Sequence, residues 1–262
     1  MKGLAAILVE LEKPLVLEEV EIPKLTFGQV LVKVLCSGIC GSQLGEIEGV
    51  KGDDKYLPHL LGHEGHGEVL ECGKGVRSVK PGDKVVLHWR KGIGIDSETP
   101  KYLSKNLGLI NAGWVTTFNE YAVISENRLT VIPSHVKPDH AALMGCAVTT
   151  ALGTLTNDGK SKIGESIAIF GCGGVGLSLI QFAKISGVMY LKLPKQMERK
   201  LDETSLKTGK DGQIAFTGMG DADPLQTTSL YNIQPEIGWF YIIVESWMEL
   251  FRNCWKLYFK MV

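Results

Sequence analysis

Between Gly38 and Val76 the chain sets a thiol, an imidazole and a carboxylate among glycines. The run reads Gly38-Ile39-Cys40-Gly41-Ser42, then Gly62-His63-Glu64-Gly65-His66-Gly67, then Gly73-Lys74-Gly75-Val76. These side chains ligate divalent metals, and tight glycine turns can bring short side chains to one point while leaving a coordination position open. That is the chemistry of a catalytic metal centre. Cys40 and His63 are too far apart for a zinc knuckle, whose paired ligands stand about two to four residues apart. Taken singly, each has a plainer reading. Cys40 and His63 would be packing residues, Ser42 would cap the following helix, and Glu64 would join a partly buried ion pair.

The pattern as a whole is more specific. Gly62-His63-Glu64, Gly67, Gly73 and Val76, with Gly-Ile-Cys40-Gly-Ser42 upstream, resemble the zinc-containing alcohol dehydrogenases of the medium-chain dehydrogenase/reductase superfamily. The resemblance implies that Cys40 and His63 ligate zinc, that Ser42 relays a proton from the bound alcohol, and that Glu64 lies close to the metal. It also implies a third ligand, Cys146, because Gly145-Cys146-Ala147-Val148-Thr149-Thr150-Ala151-Leu152-Gly153 is similar to the family's ligand helix. Three protein ligands and one open position suit an ion that polarises a hydroxyl or carbonyl. Two positions depart from the family. Gln43 stands where an acidic residue usually orients the liganding histidine, and its amide oxygen is expected to accept the imidazole N–H. Gly45 replaces a histidine that ends the relay in some members, leaving water or Glu46 to carry the proton onward. His66, Cys36, Cys72, Cys172 and Cys254 are read as structural.

Composition narrows the class. With 262 residues, 44% of them hydrophobic, the chain can bury one large or two modest cores. A net charge of −1, from 28 basic and 29 acidic residues, offers no electrostatic reason for binding nucleic acid or an anionic membrane. The opening residues MKGLAAILVELEKP read as a strand, not as a signal peptide or membrane span. Six cysteines without paired spacing fit a reducing cytoplasm.

The elements that must carry these residues begin with strands over Ala6 to Leu11, Leu15 to Ile22 and Gln29 to Leu35. Gly67 to Leu70, Lys84 to His88 and Thr117 to Val123 continue the series, with Lys80-Pro81-Gly82-Asp83 as a turn. Short strands so spaced argue for a partly closed β-barrel, and the resemblance implies a GroES-like one. Residues 89–113 contain no cysteine, so a second, structural zinc is not expected, and the segment is read as a loop beside the substrate cleft or a subunit contact. A helix should follow Pro138, capped by Asp139.

Ser166 to Phe170 reads as a buried strand, Gly171-Cys172-Gly173-Gly174-Val175-Gly176 as a dinucleotide fingerprint, and Leu177 to Ser186 as a helix closed by Gly187. Gly171, Gly173, Gly174, Val175 and Gly176 would hold the pyrophosphate of NAD or NADP against the helix N-terminus. The resemblance ends near residue 188. No acidic residue stands where the ribose of NAD is usually gripped, since the strand around Met189 to Leu193 runs into Pro194. Lys192 to Lys210, with six basic and three acidic residues, reads as a solvated face, with accommodation of the 2′-phosphate of NADP as the alternative. Too little chain follows Gly176 for a full doubly wound domain. Gln213 to Gly218 is a candidate late strand and turn. Trp239, Ile243, Trp247, Phe251 and Trp255 fall near helical spacing and suggest an amphipathic helix.

The expected fold is therefore mixed β and α/β. Residues 1–155 would form a GroES-like catalytic domain and 156–262 an incomplete Rossmann-type parallel-sheet domain, divergent after 188. The implied function is a zinc-dependent oxidoreductase that moves a hydride between an alcohol, polyol or sugar hydroxyl and NAD(P), with one catalytic zinc and a small alcohol, aldehyde or ketone as partner. A zinc-binding pseudoenzyme, or a truncated fragment, without competent dinucleotide binding is the alternative. The family commonly forms dimers or tetramers, which leaves a homo-oligomer open.

Overall fold

The computed structural model describes residues 1–170 and 173–193, and beyond these the strands Gln213–Thr217, Tyr231–Asn232 and Trp239–Val244. The chain divides into two compact units between Cys146 and Ala147.

The first unit holds two sheets. β1 (Lys2–Leu8), β2 (Val16–Glu21), β7 (Lys101–Ser104), β8 (Gly108–Asn111) and β4 (His59–Leu60) close a barrel in that order. The second sheet runs β10 (Leu129–Val131), β6 (Lys84–His88), β5 (Glu64–Cys72), β3 (Gln29–Ser37) and β9 (Tyr121–Ser125), all antiparallel. β3 and β9 are apolar on both faces, and successive side chains of a strand point opposite ways. Val30, Val32, Ala122 and Ile124 enter one core cluster, while Leu31 and Val123 enter the barrel's cluster with Ile7, Tyr102 and Ile110.

The structure moves several expected boundaries. The first strand covers Lys2–Leu8, not Ala6 to Leu11, because the polar run Glu10-Leu11-Glu12-Lys13 makes a turn, with Glu12 at φ 60°. The helix after Val136 begins at Pro138, with Lys137 as its cap in place of Asp139. Proline suits the first helical position, where its missing N–H would lack a partner anyway. Asp139 Oδ1 instead accepts the His140 N–H at 2.9 Å.

The larger correction concerns residues 89–113, which include a barrel hairpin. Lys101–Ser104 alternates exposed and buried, and it pairs with both Gly108–Asn111 and Val16–Glu21. Tyr102 is fully buried, and its phenol oxygen accepts the Val123 N–H at 2.7 Å. β9 has β3 on one side only, so this phenol satisfies an amide on its open edge. The stretch before the hairpin is fastened by Glu126, whose buried carboxylate accepts the N–H groups of Arg77, Ser78 and Ile95 at 2.6, 2.8 and 2.8 Å.

In the second unit β12 (Met189–Leu193), β11 (Ser166–Phe170), β15 (Trp239–Val244) and β13 (Gln213–Thr217) lie parallel, and β14 (Tyr231–Asn232) closes the sheet antiparallel to β13. The predicted strands at 166–170, 189–193 and 213–217 are all present. Trp239 to Val244 forms a strand in place of the start of the expected helix. The run WFYIIV is aromatic and β-branched throughout, which favours a strand of a parallel sheet. The remainder of that expected helix, and most of Lys192 to Lys210, lie outside the described residues. The helix α4 (Gly174–Ile185) starts within the glycine loop, three residues before the expected Leu177. Its Leu179 and Ala183 pack with Ile167, Ile169, Leu155 and Ala151, the last on α3 (Ala147–Gly153). Among the described residues, no helix is long and apolar enough to cross a membrane.

Replacing Tyr102 with Phe leaves the Val123 amide buried without its acceptor, which costs about 1–3 kcal/mol. Urea denaturation followed by tryptophan fluorescence should show a lowered midpoint with little change in slope. An unchanged midpoint would mean that the phenol does not stabilise the barrel.

Candidate metal centre

Three segments converge on the start of β5. Opposite that strand, β3 skips a register between Val34 and Cys36, and a bulge of this kind re-aims the chain that follows. The chain then passes Gly38, whose N–H bonds the Glu64 carbonyl at 3.0 Å, and reaches Cys40 at the cap of α1 (Gly41–Ile47). His63 immediately precedes β5, and Glu64 is its first residue. Cys146 follows α2 (Pro138–Leu143) and Gly145.

The two glycines make the approach possible. A Cβ on Gly38 would lie 2.7 Å from the Glu64 carboxyl carbon. One on Gly145 would lie 2.3 Å from the Leu87 carbonyl and 2.9 Å from the Glu64 Cα. Only residues without a side chain fit against Glu64 so closely, and each sits one or two positions from a candidate ligand.

The donor atoms of Cys40, His63 and Cys146 consequently all lie within 4.8 Å of one another. The two sulfurs are 3.8 Å apart, well beyond a disulfide's ~2.05 Å. Two sulfurs at about 2.3 Å from a tetrahedral zinc would themselves stand about 3.8 Å apart. His63 Nδ1 is 2.7 Å from the Gln43 side-chain nitrogen, while its Nε2 is buried with no hydrogen-bond partner. Buried polar atoms are rarely left so, and an unpartnered imidazole nitrogen beside two thiols has the chemistry of a metal ligand. This group could hold a metal ion.

The electrostatics agree. The Cys40 thiol is held well below its usual range. The Cys146 sulfur beside it is the largest cause, and His63 and the Ser42 hydroxyl act with it against burial, which pushes the other way. Burial instead pushes the Cys36 and Cys72 thiols up. Ser42 donates its hydroxyl proton to Cys40 Sγ at 3.0 Å. Glu64 is buried at 2% exposure. His66 is buried too and hydrogen-bonds the Val85 carbonyl at 3.0 Å, in keeping with a structural residue.

Gln43 does not act as the sequence suggests. Its amide oxygen accepts the Cys40 backbone N–H at 3.1 Å, so the NH₂ group, not the oxygen, faces His63. Glu46 reaches Lys51 at 4.0 Å. A residue that sequence reasoning missed is Trp89, whose ring centre lies 6.4 Å from that of His63 and carries the Arg90 guanidinium 4.8 Å above it. A lone tryptophan after a strand gives no signal of this.

In the second unit, Gly173 caps α4, and Gly174, Val175 and Gly176 form its first turn. Gly171 lies outside the described residues.

Comparison with known proteins shows what the chain is similar to. Residues 26–134 match the alcohol dehydrogenase GroES-like domain. S-(hydroxymethyl)glutathione dehydrogenases of a Synechocystis strain and of Escherichia coli are each 32% identical over 208 residues, covering 70% of this chain and 56% of theirs. The chain thus spans little more than half the length of the curated relatives it matches. Among solved structures, an alcohol dehydrogenase zinc-binding domain protein from Burkholderia ambifaria is similar at a TM-score of 0.70 and 18% identity, covering 94% of this chain and 84% of that one. Benzyl alcohol dehydrogenase from Acinetobacter calcoaceticus is similar at 0.68 and 20%, covering 99% and 90%. These structural likenesses establish the fold. Residues 26–134 are thus an alcohol dehydrogenase GroES-like domain, and the chain as a whole is similar to zinc-containing alcohol dehydrogenases of the medium-chain dehydrogenase/reductase superfamily.

Two outcomes follow. Gly145→Ala should displace Cys146 and weaken zinc binding at least tenfold in competition with a chromophoric chelator; unchanged affinity would show that the close approach is not needed. In zinc-free protein, iodoacetamide should modify Cys40 faster than Cys36 or Cys72 at pH 7, since a lowered pKa leaves Cys40 as the reactive thiolate there while raised values keep the others protonated. Peptide mapping would read this, and equal rates would contradict the lowered value.

Proposed function

We propose that the chain is an oxidoreductase transferring a hydride between an alcohol and NAD or NADP, with a single catalytic zinc held by Cys40, His63 and Cys146. The observation that carries this reading is the pair of sulfurs 3.8 Å apart beside a buried imidazole nitrogen that has no hydrogen-bond partner. When bound, zinc supplies Lewis acidity toward an alcohol or carbonyl oxygen, and the nicotinamide supplies the hydride acceptor or donor.

The chain's own groups then have distinct tasks. Cys40 and Cys146 provide negative charge and His63 a neutral ligand. Ser42 moves the proton: its Oγ accepts one from the substrate hydroxyl and passes its own onward, which requires the hydroxyl to swing from Cys40 Sγ, where it points now. With Gly45 next on the helix, water receives that proton. Glu64 holds a carboxyl beside the loop that carries Cys40. Gly173, Gly174, Val175 and Gly176 allow the pyrophosphate to approach the first N–H groups of α4.

The relatives named as S-(hydroxymethyl)glutathione dehydrogenases act on a thiol-linked hydroxymethyl group. For this chain the proposed substrate class is broader: a primary or secondary alcohol, polyol or sugar hydroxyl, with the matching aldehyde or ketone. The proposed setting is the cytoplasm, where thiol ligands stay reduced, and the proposed assembly is a homo-oligomer.

His63→Ala should abolish stoichiometric zinc in the purified protein, measured by metal analysis, and reduce alcohol oxidation by at least about 10³-fold. Titration with NADH, followed by its fluorescence, should saturate below millimolar concentration. Stoichiometric zinc without saturable dinucleotide binding would instead favour a zinc-binding fragment.

A further inference from the structure

The Gln43 side chain lies between two groups that compete for it. It is 2% exposed, stands at the third position of α1, and reaches back to the Cys40 N–H with its oxygen and across to His63 Nδ1 with its nitrogen. An amide has one acceptor oxygen and one donor nitrogen. With the oxygen on Cys40, the NH₂ group donates to Nδ1, so the neutral ring must carry its proton on Nε2. That is the buried atom with no partner, and the one left to face a metal. A ring protonated there has no lone pair for the ion.

Metal uptake at Nε2 requires the other tautomer, with the proton on Nδ1 and an acceptor facing it. The amide can supply that acceptor only by turning over. Its NH₂ group then confronts the Cys40 N–H, donor against donor. The oxygen has two lone pairs, but Cys40 and His63 lie at opposite ends of the amide, so with the side chain in its present place one of the two hydrogen bonds is lost in either orientation.

Resting on the metal reading above, we propose that Gln43 is a positioning residue whose single acceptor oxygen is shared between the cap of α1 and the liganding imidazole. Zinc binding therefore loosens the helix that carries Cys40 and Ser42, and the centre holds its ion more weakly than a carboxylate at position 43 would allow. A carboxylate of the same length has two acceptor oxygens and can serve both N–H groups at once.

The test uses the full chain with zinc alone as the ligand. Gln43→Glu should tighten zinc binding by about tenfold or more in chelator competition, within the range typical of partners behind a metal-bound histidine. Added negative charge alone could also raise affinity, so two further readouts isolate the hydrogen bond. Nitrogen-15 spectra of labelled wild type should show the His63 proton on Nε2 without zinc and on Nδ1 with it. Hydrogen exchange at the Cys40 amide should quicken on zinc loading in wild type but not in Gln43→Glu.

An affinity gain below about threefold overturns the proposal, as does a His63 proton already on Nδ1 in zinc-free wild type. If Gln43→Glu does not fold, the two wild-type readouts decide alone. Should His63→Ala bind zinc as tightly as wild type, the metal reading itself falls and this proposal with it. Loss of zinc in His63→Ala with no gain in Gln43→Glu removes the proposal only.

Discussion

The structure of the first unit depends on a close backbone approach at Glu64. Gly38 and Gly145 press against this residue from two different segments, at separations where a methyl group would collide with the carboxyl, the Cα or the neighbouring Leu87 carbonyl. Cys40, His63 and Cys146 each stand one or two positions from that contact. The three candidate ligands therefore come together through backbone packing and do not rely on long, flexible side chains. With the backbone already in place, an ion's arrival leaves only local side-chain adjustments, such as the turning of the Gln43 amide.

The sheet beneath gives the contact its rigidity. β5 lies between β3 and β6, two strands in from either edge, and β3 sends alternate side chains into two separate cores. A shift of β5 along its neighbours would have to break both ladders and exchange the faces of a buried strand. Glu126 and Tyr102 extend this order into the surrounding chain by satisfying backbone amides that no strand partner reaches.

How much of this was legible in the sequence follows from the range over which each signal acts. The Cys40 and His63 motifs are contiguous runs of glycine and ligand types, so they stand out, and the resemblance they carry also points to Cys146 far downstream. The strand at 166–170 and the glycine loop after it were clear from a short apolar run followed by a fingerprint. The barrel hairpin at 101–111 was not, because four-residue strands are too short for alternation to register and Tyr102 acquires its role only when the barrel closes. The run from Trp239 was misleading in another way: aromatic residues at helical spacing also read as a continuous apolar strand, and the sheet decided between them. Gln43 shows the limit most clearly. Its departure from the family pattern is visible, but that its oxygen already serves the Cys40 amide is a matter of angles and distances.

In the proposed centre, two thiolates and one imidazole from separate segments share one ion. X-ray absorption at the zinc edge of the zinc-loaded protein tests it directly. The expected result is one zinc per chain with two sulfur scatterers, one imidazole and a lighter fourth neighbour. A shell of sulfur only, or of oxygen and nitrogen without sulfur, would contradict it.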